Sequence, residues 1–204
     1  MMLGLPSTTE VDRRLPKEAF YGNLKLNRKT KGQFVSQVER IVIANSIKTT
    51  TANVLDGENV HEILIMEIAS KGEPVSDAVL LAIEQANQHS MVFVCKEGEA
   101  QRLVIHRQGT HSAPSLEKLV MRGPTLDDVW DSFCAQIVFG TMDGSDVDTR
   151  INQTKRRTDL EAEIEKLDAA CRTTEQINRK NELFAQLKAK KLELRSIDDS
   201  GRGN

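Results

Sequence analysis

This sequence is poor in aromatic residues: of 204 positions, one is Trp, one Tyr and six Phe. A ladder of stacked aromatics for single-stranded nucleic acid is therefore not among its features. Cysteine is as sparse. Cys95, Cys134 and Cys171 lie far apart and form no C-x-x-C pair, which argues against a structural zinc site and against a disulfide framework. All three fall at apolar positions of expected elements and read as buried thiols in a reducing compartment. An excess of one charge is also lacking. The formal net charge is −2, so no global field draws the chain onto nucleic acid or anionic lipid. No apolar run approaches the roughly 20 residues that span a bilayer. The start, MMLGLPSTTEVDRR, lacks a basic segment followed by an apolar core. The expectation is a cytoplasmic protein with no membrane partner. A Walker loop, a nucleophile elbow and a Gly-rich dinucleotide fingerprint are all missing, so neither a cofactor nor a metal site is expected.

What is present is a sheet-forming segment over residues 50–107. VHEILIMEIA is apolar on both faces, as an interior strand requires, and SMVFVCK and QRLVIHR follow it. The last two are joined by Glu97, Gly98, Glu99 and Ala100, a hairpin signal. TTTANVLD, rich in Thr and β-branched residues, reads as a fourth strand linked through Gly57 to the first. Between the strand pairs, Ser76 caps a helix with Val79, Leu80, Ile83 and Ala86 as its stripe. A further helix is expected over 30–47, where Phe34, Val38, Ile41 and Ala44 recur at steps of three or four. The fold class is α+β: a four-stranded, mostly antiparallel sheet flanked by helices.

Residues 1–29 read as an irregular basic arm, because Pro6 and Pro16 disfavour helix at the positions before them. Arg13, Arg14, Lys17, Lys29 and Lys31 make this end locally basic and are the candidate nucleic-acid contacts; a solvated face is the plainer explanation. Residues 108–124 read as a surface connection. Thr125 then caps a helix that buries Leu126, Val129, Phe133 and Ile137 and places Asp127 and Asp128 at its positive end. The globular domain ends near 140, and the Gly- and Asp-rich 141–149 segment is a linker.

From 150 to 197 the chain is charged and free of Gly and Pro. Leu160, Ile164, Leu167 and Cys171 step as a narrow coiled-coil seam. Thr173 and Gln176 have capping-box spacing for a second helix, which buries Leu183, Leu187 and Leu194. The first arm is acidic between 159 and 168 and the second is basic, so an antiparallel hairpin pairs opposite charges. A continuous dimerising helix is the alternative. Arg179, Lys180, Lys188 and Lys191 are the candidate contacts to a protein partner, and 198–204 reads as a disordered tail.

One catalytic constellation merits weighing. Asp56, Glu67 and Lys71 have the residue types of a metal-dependent nuclease of the PD-(D/E)xK kind. That chemistry puts an acid and a lysine two residues apart on one strand face, about 7 Å from each other. Glu67 and Lys71 are four residues apart, about 13 Å along a strand. His106 and His111 have no ligand-spaced companions.

Three stretches together, GLPSTTEVDRRLPKEAFY, FVSQVERIVIANSIKTTTANVLDGENVHEI and LEAEIEKLDAACRTTEQINRKNELFAQLKAKKLEL, resemble a prokaryotic family, domain of unknown function 4391, nearly end to end. Ile43 departs from the aromatic residue that members often carry there. The resemblance implies an accessory subunit beside adenine-specific DNA methyltransferases and superfamily 2 helicases in restriction or phage-defence systems, with DNA as a further contact. It carries over no catalytic residue.

Overall fold

The computed structural model describes residues 3–23, 25–114 and 116–200. Two compact units divide the chain, Met1–Val147 and Asp148–Asn204. The first is built on β1 (Glu10–Leu15), β2 (Val38–Ile47), β3 (Ile63–Ser70), β4 (Ser90–Glu97), β5 (Ala100–His106) and β6 (Thr110–Pro114), which lie side by side in that order. Only β3 and β4 run parallel; the other neighbours are antiparallel. Helices α1 (Glu18–Asn23), α2 (Arg28–Gln37), α3 (Thr49–Ala52), α4 (Asp77–Gln85) and α5 (Leu126–Phe139) complete this unit. The sheet is therefore six-stranded and mixed, against four expected strands.

The difference has physical causes at particular residues. The helix expected over 30–47 stops at Gln37, and Val38 is already extended (φ −92°, ψ 121°) while its amide still donates to the Phe34 carbonyl. Residues 38–47 include Val38, Ile41, Val42, Ile43 and Ile47, β-branched side chains that fit a pleated surface better than a helix turn. Phe34, Val38 and Ile41 satisfy a helical period only by coincidence of spacing. TTTANVLD goes the other way: Thr49–Ala52 form one helical turn, and Asn53 leaves it in the left-handed region at φ 53°. The basic arm is an edge strand. Side chains of β1 are almost all exposed, and its register shifts between Glu10 and Arg13. Charge and a bulge on an edge block pairing with another chain.

One sheet face carries Ile41, Ile43, Met66, Ile68, Phe93, Cys95 and Val104, packed with Phe34 of α2 and Val79, Leu80 and Ile83 of α4. Phe20 of α1 stacks on Phe34 with ring centroids 6.2 Å apart; the side chain of Tyr21 lies outside the described residues. Strand alternation turns Ile65, Val92, Val94, Leu103 and Ile105 to the opposite face, where α5 packs over β5 and β6. The expected cap of α5 is present: Thr125 and Asp128 exchange hydrogen bonds as a capping box, and Gly140 closes the helix at φ 68°, a conformation that suits glycine.

Asp127 has a role that its place in the first helical turn did not disclose. Its carboxylate accepts the amides of Glu58 (2.7 Å), Asn59 (3.3 Å) and Val60 (2.8 Å). The loop closes so tightly that a Cβ on Gly57 would lie 2.7 Å from Asp127 Oδ1. Asp127→Ala leaves these amides without their charged acceptor. We expect it to destabilise the unit by about 2 kcal/mol, the range for hydrogen bonds to a charged group, read as a lower urea midpoint at unchanged slope. Asp127→Asn, which keeps one acceptor oxygen, should lose less.

The second unit is made of α6 (Val147–Thr173) and α7 (Ile177–Ser200). The expected linker is therefore shorter, and α7 covers the first three residues of the expected tail; 201–204 lie outside the described residues. The hydroxyl of Thr173 does not cap α7 but turns back to the carbonyls of Ala169 and Ala170 in α6. Cys171, Leu183 and Leu187 form the small core of the unit, with Ile164, Leu167 and Ala170 against it. Lys190 Nζ lies 2.7 Å from Glu163 Oε2, and Arg156 pairs with Glu193. These partners lie ever farther from the 174–176 turn on both arms, as antiparallel helices require. The Lys190 hydrogen bond holds the Glu163 carboxyl below its ordinary range. That contribution is present above the ordinary carboxylate range and is lost as pH falls through the lowered value.

Candidate functional site

Two features stand out, one in each unit. The first is a depression of about 380 Å³ on the sheet surface, lined by Asp12, Arg14, Arg40, Val42, Glu67 and Lys96. Strand register brings these residues together. Arg14 lies opposite Val42, Val42 opposite Glu67, and Glu67 beside Val94, so their side chains share a face. Arg40 and Lys96 flank Ala69 one pleat farther along that face. Glu67 is 8 % exposed, a depth at which a carboxylate needs partners. Each of its oxygens has one: Lys96 Nζ at 2.8 Å from Oε2 and Arg40 Nη2 at 3.3 Å from Oε1. Both cations keep 40 % or more of their side-chain surface in solvent. The depression lies at the C-terminal ends of the parallel pair β3 and β4, where sheets with parallel strands commonly present their ligand sites.

Of the expected nuclease residues, only Glu67 lies in this depression. Asp56 is exposed and pairs with His61 Nδ1 at 3.0 Å. Lys71 donates from Nζ to the Val35 carbonyl at 2.8 Å. The three side chains thus have separate partners. Among the described residues no three His, Cys, Asp or Glu side chains group as metal ligands would.

The expected basic contacts are also dispersed. Arg14 enters the depression, whereas Arg13 lies opposite Ile43 and so belongs to the other face. Lys17 donates to the Val38 carbonyl at 3.1 Å. Lys29 and Lys31 are exposed on α2. His106 is buried against Glu84 (Nδ1 to Oε2, 2.7 Å), and His111 Nε2 is 3.0 Å from the Arg107 carbonyl. All three thiols are buried, and burial pushes Cys95 up to about 12, which leaves it protonated and unreactive at neutral pH.

The second feature is the outer face of α7. Its inner stripe carries Leu183 and Leu187, but Ile177, Phe184 and Leu192 remain 75 %, 54 % and 69 % exposed. They fall seven and eight residues apart, two helical turns in each case, and so share one face. A groove of about 840 Å³ runs along it, with Lys188, Lys191 and Arg195 beside Phe184 and Leu192. Lys188 and Lys191 were expected to meet a partner; Lys180 is exposed, and Arg179 pairs with Glu182 at 2.9 Å.

Sequence reasoning missed Arg40, Lys96 and Asp12 at the depression. They lie 27, 29 and 55 residues from Glu67 in the chain, and only the strand register joins them. Ile177 and Phe184, seven residues apart, mark a second face of α7 beside the stripe expected to be buried.

A family model described as Domain of unknown function (DUF4391) matches residues 3–112 and 107–194. No curated protein and no solved structure matches the chain. No helix among the described residues is long and apolar enough to cross a membrane.

Proposed function

The chain belongs to the DUF4391 family, and from that premise we propose that it works as a docking subunit of a larger DNA-processing assembly, held through the outer face of α7. The observation that carries this reading is the exposed Ile177, Phe184 and Leu192 face with Lys188, Lys191 and Arg195 around it. Exposed apolar residues grouped on one face and rimmed by charge mark an interaction site. The occupant that fits is an amphipathic helix of the partner: its apolar side lies on Phe184 and Leu192, and its acidic residues meet the basic rim. The partner class, a DNA methyltransferase or a helicase in the cytoplasm, rests on the resemblance of the three quoted stretches. DNA contact through the exposed Arg14, Lys29 and Lys31 of the first unit belongs to the same reading.

The nuclease reading has less support. It asks Asp56, Glu67 and Lys71 to act together, and each is engaged elsewhere.

Co-expression with a DNA methyltransferase and with a superfamily 2 helicase from the same genome tests the proposal. The expected result is a stoichiometric complex that the Phe184→Asp, Leu192→Asp double variant loses while its helical circular dichroism is unchanged. A complex retained by that variant, no complex at all, or a variant whose only change is loss of a homodimer overturns it.

A further inference from the structure

We propose that the depression around Glu67 binds a phosphate ester. The inference is independent of docking through α7. Its basis is the arrangement of charge on the sheet. Glu67, buried on the central strand β3, does not reach out to a ligand; it holds two cations side by side. Lys96 and Arg40 each give it one donor. An ammonium has three donors and a guanidinium five, so most of their donors stay free, and both heads are solvent-accessible. Arg14 completes the set. It lines the same depression, is exposed, and its side chain makes no hydrogen bond or ion pair with another described residue.

Three cations converging on one concavity would repel each other without an anion between them. Glu67 supplies one charge from below, and an incoming anion supplies the next from above. Counting Asp12 and Glu67 against Arg14, Arg40 and Lys96 leaves the lining with one net positive charge. A phosphate group matches this: its oxygens accept from planar guanidinium forks and from an ammonium at once. Asp12, at φ 47° in the β1 bulge, also has no partner among the described residues and offers an acceptor to a hydroxyl on the ester. The volume suits one small ligand or one backbone phosphate with its sugar.

Two sources share this chemistry, a free nucleoside phosphate and the backbone of a nucleic-acid strand. Binding of ADP by calorimetry and of a labelled single-stranded DNA by anisotropy, both at low salt, separates them. The decisive comparison is Arg14→Ala against Arg13→Ala. Both remove one positive charge from adjacent positions, but Arg13 lies on the other sheet face. Arg14→Ala should weaken whichever ligand binds by about tenfold or more, the scale of one charge-assisted hydrogen bond. Its melting temperature should not change, because no described residue depends on Arg14. Arg13→Ala should bind as the parent does. Binding of ADP alone identifies a free phosphate ester as the source; binding of DNA identifies a strand. The proposal is overturned if the parent chain binds neither, or if the two variants weaken binding equally, which is the behaviour of diffuse surface charge.

Discussion

Replacing Phe93 by Ala should cost the first unit about 3–5 kcal/mol, the range for deleting a buried aromatic ring. Phe93 has no solvent exposure. It sits in the middle of β4, opposite Met66 of β3 and Val104 of β5. Its ring packs in a T-shaped contact with His106, with centroids 5.7 Å apart. Strands on both sides fix the backbone, so the neighbours cannot collapse into the space that Ala leaves. Single domains are stable by about 5–15 kcal/mol, and the loss is therefore a large part of the total. Urea unfolding followed by Trp130 fluorescence gives the number. Val35→Ala, at a position 48 % exposed, should stay within about 0.5 kcal/mol.

Leu187→Asp should open the helical hairpin. The core of that unit is only Cys171, Leu183 and Leu187 with three partly buried neighbours, and Leu187 is 4 % exposed. A carboxylate there has no designated cation and either drags water into the seam or forces α7 away. Helices hold mainly through their packed face, and isolated ones are marginal in water. Circular dichroism at 222 nm should fall well below that of the parent, and protease should cut within 177–200. Gln186→Ala, on the exposed side of the same turn, should leave both unchanged.

The parts of the fold legible in the sequence are those with unambiguous patterns. EILIMEIA is too short and too uniformly apolar for a surface helix, and it is β3. Val79, Leu80 and Ile83 of the α4 stripe, the β4–β5 hairpin around Gly98 and the Thr125 cap were readable for the same reason, whereas Ala86 is exposed at the end of α4 and the Ser76 hydroxyl makes no cap hydrogen bond. The errors arise where one pattern serves two structures. Phe34, Val38 and Ile41 fit a helix by spacing, but the β-branched run after them decides for a strand. An edge strand with solvated side chains, as in β1, has the composition of an irregular arm. β6 carries almost no apolar residues, yet the three-residue link with Gly109 after β5 was a hairpin signal of the kind already used for Gly57. Of the candidate site, Glu67 and Arg14 were legible, each under a separate reading and neither as the other's neighbour. The residues around Glu67 come from β1, β2 and β4, and their meeting depends on registers that no local pattern encodes.

The most direct test of docking through α7 is hydrogen exchange of the full chain, alone and with the co-expressed methyltransferase or helicase. The account predicts added amide protection across 184–195 of α7 in the complex, and its loss in the Phe184→Asp, Leu192→Asp variant. Protection confined to residues 3–140, with α7 exchanging as it does in the free chain, would contradict it.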